Sequence, residues 1–312
     1  MNLPIDDKTP KYFTIHSDNI LEKIKRPCRK LLYPVLTKIT ELNFKKSAEI
    51  KDKIGCDKVY IDQRGNDFEA HRARVNQYKK IKDCVVLIIG AGTGKDLESW
   101  LKYHPKKIIA LDQFNYKRAW EIRAKSLSQY SDSEIEFIQA DILDLSMIAD
   151  SSIDIIGSDA VFAHINKFDE ALSELYRVLK KDGKLYATYG PLWCCWGGDH
   201  VSGKDNIENG YNHLTLTNYE YEIYIDSFGN YSHNEEDGRT WVKNKLFSYL
   251  KPSEYLSNLY DAGFNKVYSS VIIESRAIDY SNSYPNEFKA LEDKHGYENL
   301  IVTGMTIIHD KQ

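Results

Sequence analysis

Short apolar runs alternate with amphipathic segments in the middle of the chain. Residues 83–89 form a continuous apolar run that a glycine ends, which is the pattern of a strand covered on both faces. Similar runs predict four further strands, at residues 106–112, 135–140, 153–157 and 183–189. Apolar residues at helical spacing predict the helices between them, at residues 97–103, 116–130 and 168–179. This alternation predicts an α/β fold with a mostly parallel sheet and helices on both faces.

The regular alternation occupies only part of the chain. Residues 1–80 are polar and predict a mostly helical N-terminal segment that could act as a lid or form a partner surface, and residues 81–312 predict one α/β domain. Residues 190–250 break the alternation with glycines, histidines and aromatic residues, and they predict an insertion that covers a substrate. Beyond it, a helix from Pro252 to Leu259 and two strands, at residues 266–273 and 300–308, complete the predicted domain.

Composition narrows the possible classes of protein. The chain has 312 residues with 42% hydrophobic and 28% charged residues, which excludes a disordered or collagen-like chain. The net charge of −4 disfavours nucleic acid as a partner, although residues 22–58 hold eleven Lys and Arg against five Asp and Glu. We interpret that basic stretch as the solvated face of amphipathic helices, with a phosphate or an acidic partner as the alternative.

No membrane or export signal is evident in the sequence. No apolar run approaches the roughly 20 residues that span a bilayer, and residues 1–30 lack the basic-then-apolar order of a secretory signal. The five cysteines are too scattered for a disulfide framework or a zinc site. We therefore expect a cytoplasmic protein with reduced thiols and no membrane partner, and the sequence leaves its oligomeric state open.

A glycine-rich loop follows the first predicted strand of the domain. Gly90, Gly92 and Gly94 let the backbone approach a ligand closely in front of a helix N-terminus. A phosphate-binding P-loop is excluded because Ile89 stands where it needs glycine and Asp96 where it needs serine or threonine. A dinucleotide-binding loop is disfavoured because its third glycine would fall at Lys95. The remaining pattern is G-x-G-x-G.

This loop and the motifs that follow it resemble the class I S-adenosylmethionine-dependent methyltransferases, in particular the small-molecule enzymes of types 11 and 25. The resemblance extends from about residue 81 to the C-terminus. Its motifs occur along the chain in the same order as in the family. It includes the run from Arg177 to Gly183 before the fifth predicted strand. The resemblance implies a Rossmann-like, seven-stranded, mostly parallel sheet with an antiparallel last strand. It also implies S-adenosylmethionine as cofactor and S-adenosylhomocysteine as product.

The resemblance assigns the cofactor site residue by residue. Asp112, which ends the second strand, would hold the ribose hydroxyls, and Asp141, which ends the third, would meet the adenine. The complete predicted cofactor site is Gly90, Ala91, Gly92, Gly94, Asp112, Gln113, Asp141, Ile142, Ser158 and Asp159. The strand before the loop ends in Ile88 and Ile89, without the acidic residue that many members carry there.

Transfer of a methyl group to a hydroxyl needs a base, and histidine suits that role near neutral pH. His164 follows the fourth predicted strand and resembles a frequent histidine of the family. His200 lies in the insertion, where the adjacent Asp199 could orient it. We predict His200 and His164 as catalytic candidates, and His213 as a further candidate base. A metal is not expected, because His200 and His213 have no recognised ligand spacing.

The acceptor is predicted only by class. Aromatic residues of the insertion could line a substrate pocket or form the insertion's own core, and the predicted acceptor residues are Trp193, Trp196, Tyr211 and His213. We predict an O-methyltransferase that acts on a small molecule or a glycan unit. The alternatives are an N-methyltransferase that acts on an amine or amino sugar, and a non-catalytic scaffold that binds the cofactor.

Overall fold

A central eight-stranded sheet organises the part of the chain that the computed structural model describes, residues 44–61, 68–128, 131–228 and 238–312. The strands are β1 (Lys58–Ile61), β2 (Val85–Ile89), β3 (Lys107–Asp112), β4 (Glu134–Gln139), β5 (Ile153–Asp159), β6 (Leu179–Tyr189), β7 (Phe264–Ile273) and β8 (Val302–Lys311). Their order across the sheet is β1-β7-β8-β6-β5-β2-β3-β4. Strand β8 is antiparallel to β6 and β7, whereas the other neighbours are parallel. The predicted α/β fold with an antiparallel last strand is therefore confirmed.

The sheet has one strand more than the seven predicted. The additional strand, β1, lies in the N-terminal segment that the sequence predicts to be mostly helical, and it pairs with β7. A strand of four residues is too short to show a periodic pattern, so the sequence does not predict it. Residues 1–43 of the predicted N-terminal segment lie outside the described residues.

Helices cover both faces of the sheet. In chain order they are α1 (Ser47–Ile54), α2 (Phe68–Tyr78), α3 (Leu97–Leu101), α4 (Lys117–Leu127), α5 (Phe168–Val178), α6 (Asn212–Thr215), α7 (Asn218–Ser227), α8 (Gly238–Lys243), α9 (Pro252–Asp261), α10 (Ser275–Ser283), α11 (Pro285–His295) and α12 (Tyr297–Ile301). Short 3-10 helices occur at Phe162–His164 and Ile207–Asn209. The predicted helices of the alternating region correspond to α3, α4 and α5, and the one after the insertion to α9.

Alternate residues of each central strand enter opposite layers of the core. Leu87 and Ile89 of β2 belong to the cluster that contains Leu172 of α5, whereas Val86 and Ile88 belong to the cluster that contains Trp100 of α3. This is why the strand is apolar without interruption. Packing on both faces holds the strands in place, and it therefore also fixes the positions of the strand ends where the candidate site lies.

The region after residue 273 differs in detail from the prediction. Leu300 and Ile301 belong to α12, so the last strand begins at Val302 rather than at residue 300. Helices α10 and α11 lie between the last two strands and were not predicted. The chain runs outward through β2, β3 and β4, and it returns on the other side of β2 with β5 and β6. The crevice between β2 and β5 is therefore the switch point where α/β folds bind ligands.

Candidate functional site

The glycine loop leaves β2 at this switch point. Gly90, Gly92 and Gly94 have φ angles of 71°, 50° and 78°, a left-handed conformation that favours glycine. A β-carbon at Gly90 would lie 2.1 Å from Cγ2 of Val161, whereas one at Gly92 would meet nothing within 4 Å. The loop is therefore packed against the end of β5 at Gly90 and open to a ligand at Gly92.

Asp112 holds this loop from the end of β3. Its carboxylate is buried and accepts hydrogen bonds from the backbone N–H of Gly92, at 2.8 Å, and of Phe114, at 3.0 Å. Burial raises the pKa of Asp112, while these N–H donors act in the opposite direction. Two carboxylate oxygens offer about four acceptor positions, so lone pairs remain for hydroxyl groups of a ligand.

The predicted adenine contact lies on the neighbouring strand end. The N–H of Ala140 donates to the carbonyl of Asp112 at 3.0 Å, which places the ends of β3 and β4 side by side. Asp141 follows directly, is exposed, and accepts from the N–H of Leu143 at 3.0 Å. The structure thus brings Asp112 and Asp141 to one edge, and their contacts with the cofactor stay predictions. The other predicted residues on this edge are Gln113 and Ile142.

The predicted residues at the end of β5 differ from the expectation. Ser158 is fully buried, and its Oγ has no hydrogen-bond partner among the described residues. The carboxylate of Asp159 forms an ion pair with Arg72 and accepts a hydrogen bond from the Tyr186 hydroxyl at 2.8 Å. The Asp159 carboxylate is therefore already paired inside the protein, and its predicted contact with the cofactor stays a prediction.

Arg72 is the main residue of this region that the sequence analysis missed. It lies on α2, is fully buried, and donates through Nε to the Ser99 hydroxyl at 3.1 Å. Its guanidinium lies 4.3 Å from the ring centroid of Trp100. The sequence contains one sign of its burial. Arg72 lies four residues after Phe68 and three before Val75, so in a helix it shares a face with these apolar residues.

His164 ends the 3-10 helix that follows β5. Its Nδ1 lies 2.9 Å from the carbonyl oxygen of Leu246, and its ring contacts Trp241, with centroids 4.3 Å apart, and Phe247, at 5.1 Å. The residue is partly exposed, and burial of the ring lowers its pKa. A carbonyl oxygen can only accept, so Nδ1 carries the proton and Nε2 keeps a lone pair.

His200 lies next to His164, although 36 residues separate them in sequence. The two ring centroids are 5.1 Å apart, and Trp241 contacts both rings. Burial, followed by the nearby His164, lowers the pKa of His200 to about 3. Its Nε2 is buried without a hydrogen-bond partner among the described residues. The structure therefore brings the two predicted histidines together in one aromatic cluster.

Asp199 does not orient His200, contrary to the suggestion from the sequence. Its carboxylate accepts from the N–H and the hydroxyl of Ser202, both at 2.8 Å, and from the hydroxyl of Tyr221. Its other neighbour is His213, whose Nδ1 lies 3.8 Å away and whose Nε2 is 2.7 Å from the carbonyl of Trp193. The side chains of Asp199 and His213 are fully buried, so both belong to the interior of the insertion.

The predicted acceptor residues of the insertion are largely part of its core. Trp196 is buried and donates through Nε1 to the Ile207 carbonyl at 3.0 Å, and buried Tyr211 donates to the Leu300 carbonyl at 2.8 Å. Trp193 packs on Phe247, with ring centroids 4.9 Å apart. These contacts give the side chains a packing role, and their contact with an acceptor stays a prediction.

A cavity of about 210 Å³ opens at the same edge of the sheet, beside the end of β5. Strands β5 to β8 and the segments that adjoin them contribute the lining, which includes Ala160, Thr188, Gly190, Ile272, Thr303 and Gly304. No local pattern in the sequence predicts this cavity, because its walls come from segments up to about 140 residues apart in the chain. Within the described ranges, no three His, Cys, Asp or Glu side chains are arranged to hold a metal ion. No helix in those ranges is both long and apolar enough to cross a bilayer.

Comparison with known proteins identifies the domain. The profile of a family described as a methyltransferase domain matches residues 87–187, from β2 to β6. The chain is 34% identical over 109 residues to an uncharacterized methyltransferase-like protein of Schizosaccharomyces pombe, covering 35% of this chain and 38% of that protein. It is 29% identical over 159 residues to the malonyl-[acyl-carrier protein] O-methyltransferase of Halalkalibacterium halodurans, covering 48% of this chain and 55% of that protein. The matches thus span about half or less of these relatives.

A solved S-adenosylmethionine-dependent methyltransferase from Mesorhizobium loti is also similar, with a TM-score of 0.48 and 11% identity, covering 78% of this chain and 96% of that one. The assignment rests instead on the family profile, the glycine loop and the order of the strands around it. Residues 87–187 thus match a methyltransferase domain, and this match supports the resemblance to the class I S-adenosylmethionine-dependent methyltransferases.

Proposed function

We propose that this protein is an S-adenosylmethionine-dependent O-methyltransferase that methylates a hydroxyl group of a small molecule or sugar unit, with His164 as the general base. The observation that carries this proposal is the 2.9 Å contact between His164 Nδ1 and the Leu246 carbonyl. This contact leaves Nε2 as the acceptor on a partly exposed ring beside the end of β5.

The residues of the glycine loop fit the cofactor. Gly92 offers backbone with open space in front of it, and Asp112 offers a fixed carboxylate for the two ribose hydroxyls. Asp141, on the next strand end, is exposed and available to the adenine. When bound, S-adenosylmethionine supplies a methyl group on a cationic sulfur, an electrophile that the protein does not need to activate.

The protein must then supply orientation and a proton acceptor. A hydroxyl is a weak nucleophile while it keeps its proton, so His164 Nε2 would take up that proton. Bound S-adenosylmethionine would supply the methyl group, and its sulfur would keep the electron pair of the broken S–C bond in S-adenosylhomocysteine. Because burial lowers the pKa of His164, the ring is neutral at pH 7 and ready to accept. The proton passes from His164 to water before the next turnover.

His200 is less suited to this role. With a pKa of about 3 and an enclosed Nε2, it is a much weaker base than His164. We therefore assign His200 a packing role against His164 within the aromatic cluster. The name of the bacterial relative describes an O-methyltransferase, which supports oxygen rather than nitrogen as the acceptor atom.

Two measurements test the proposal in sequence. Calorimetric titration of the full-length protein should show micromolar binding of S-adenosylmethionine and S-adenosylhomocysteine and no binding of NAD. Incubation with cofactor labelled in the methyl group, followed by mass spectrometry, should then transfer the label to phenols or sugars with free hydroxyls. Binding of NAD alone would reject the cofactor, and label found only on amines would reject the hydroxyl acceptor.

A further inference from the structure

We propose that the cavity beside Ala160 binds a neutral, hydroxyl-bearing six-membered ring as the acceptor end of the substrate. The inference rests on the proposed function, because it assigns this cavity to the acceptor of the same methyl transfer. It names the substrate class from the position, size and polarity of the cavity.

The position of the cavity suits an acceptor subsite. Ala160 lines the cavity, and Val161, the next residue, packs against Gly90 of the glycine loop. The cavity and the loop that would hold the cofactor are therefore contacted by two consecutive residues, so they lie close together. Ala160 also has a φ angle of 61°, so the chain turns sharply between the two regions. A ligand in the cavity would lie next to the cofactor without competing for the loop.

The size of the cavity limits what it can hold. An apolar cavity of about 150 Å³ is large enough for benzene. The cavity here has about 210 Å³, enough for a six-membered ring with one or two small substituents. Three of the lining residues, Ala160, Gly190 and Gly304, contribute little or no side-chain volume. A larger ligand would extend into solvent, with only its ring enclosed.

The lining carries no charge that could pair with an ionic substituent. The described residues that form it are aliphatic, small or hydroxyl-bearing, and the Tyr189 hydroxyl donates to the sulfur of Met305 in the core at 3.5 Å. The carboxylate of Asp159, the residue before Ala160, is already paired with Arg72. A charged group that entered the cavity would lose its hydration without gaining a partner. A neutral ring is therefore favoured.

Two threonine hydroxyls give the cavity polar contacts for a ring hydroxyl. Thr188 Oγ1 lies 3.2 Å from Thr306 Oγ1, and Thr303 Oγ1 accepts from the thiol of Cys195 at 3.6 Å. Each hydroxyl has one donor and two acceptor positions, so these contacts leave further capacity toward the cavity. A phenol and a neutral pyranose share the required chemistry, a neutral ring with a hydroxyl.

The test compares ring ligands that differ mainly in charge. Saturation-transfer NMR on the full-length protein loaded with S-adenosylhomocysteine would use 4-methylphenol, 4-hydroxybenzoate, tyramine and methyl α-glucopyranoside. We expect transfer to 4-methylphenol or to the pyranoside, and at least tenfold weaker binding of the anionic and cationic phenols. The comparison of 4-methylphenol with the pyranoside distinguishes a phenol from a sugar unit.

Two cavity-filling variants and one control locate the binding. Ile272→Trp and Thr303→Leu each add side-chain volume to the lining, so both should weaken binding of the neutral ring at least tenfold. Ile223→Trp makes the same exchange as the first variant on an exposed position of α7 and should bind like the wild type. Circular dichroism and the affinity for S-adenosylhomocysteine would show that each variant is folded.

The outcomes separate this inference from the proposed function. If the protein does not bind S-adenosylhomocysteine, the proposed function fails, and the inference fails with it. If it binds that product but no neutral ring, or binds a charged phenol equally well, only the inference is overturned. Ring binding that survives both folded cavity-filling variants would also overturn it, because the ring would then lie elsewhere.

Discussion

The guanidinium of Arg72 and the carboxylate of Asp159 form a buried ion pair that joins α2 to the end of β5. Nη1 of Arg72 lies 3.3 Å from Oδ1 of Asp159, and Nη2 contacts Oδ2. Neither side chain is more than 8% exposed. The pair therefore fixes the start of the turn through Ala160 and Val161, which separates the glycine loop from the cavity. Helix α2, from the predicted lid segment, is thus tied to the strand end beside the candidate site.

Replacement of Arg72 by methionine should strongly destabilise the protein. Removal of one partner leaves the Asp159 carboxylate buried without its cation, which typically costs about 3–5 kcal/mol. Urea-induced unfolding, followed by circular dichroism, would measure the loss. The double variant Arg72→Met and Asp159→Asn removes both charges and should lose less than Arg72→Met alone. A single variant within about 1 kcal/mol of the wild type would contradict the importance of the pair.

Replacement of Asp112 by alanine should weaken binding of S-adenosylhomocysteine by about 10- to 100-fold. The variant loses an ionised acceptor, and hydrogen bonds to charged groups contribute about 1.5–3 kcal/mol. It also loses the anchor of the Gly92 N–H. Calorimetric titration would measure the affinity. Asp169→Ala, which removes an exposed carboxylate from the first turn of α5, should bind like the wild type. Unchanged affinity in folded Asp112→Ala would mean that the ribose contact lies elsewhere.

Replacement of His164 by asparagine should lower turnover at least about 100-fold, with little change in cofactor affinity, if it is the general base. His200→Asn should keep more turnover than His164→Asn, because His200 only packs against the base in our proposal. Because the pKa of His164 is lowered, the acid limb of the wild-type rate profile should lie below the usual histidine value. Steady-state kinetics from pH 5 to 8 would measure both effects. Full turnover in both variants would exclude a histidine base and favour an amine acceptor.

The sequence predicted the parts of the site that a short local pattern encodes. The glycine loop and the strand ends at Asp112 and Asp141 could be located because an apolar run fixes each strand and its polar terminus. The ion pair of Asp159 could not be predicted, because its partner Arg72 lies 87 residues earlier in a separate helix. The same holds for Leu246, which reaches His164 across 82 residues and determines which ring nitrogen is the acceptor.

The aromatic residues of the insertion show a second limit. Trp196 and Tyr211 suit a packed core as well as a ligand wall, and no periodicity distinguishes the two. The structure shows that the Trp196 and Tyr211 side chains are buried and donate to backbone carbonyls of the protein itself. The cavity instead lies mostly among small and β-branched residues, which have no signature in sequence.

The His200 ring, whose Nε2 is buried, should make the stability of the protein depend on pH. Its pKa is about 3 in the folded state and about 6.5 in an unfolded chain, so the unfolded state binds the proton first as the pH falls. The contribution of His200 to the free energy of unfolding is fully present above about pH 6.5. It is lost progressively toward pH 3, by at most about 1.4 kcal/mol per pH unit. Urea unfolding of the wild type and His200→Gln at pH 7, 6 and 5 would compare the slopes, and the variant should show the shallower one. His309→Gln on β8 is an independent comparison, because burial lowers the pKa of His309 to about 4 and its removal should also reduce the slope. Parallel slopes for wild type and His200→Gln would show that the ring is protonated as readily in the folded protein as in the unfolded chain.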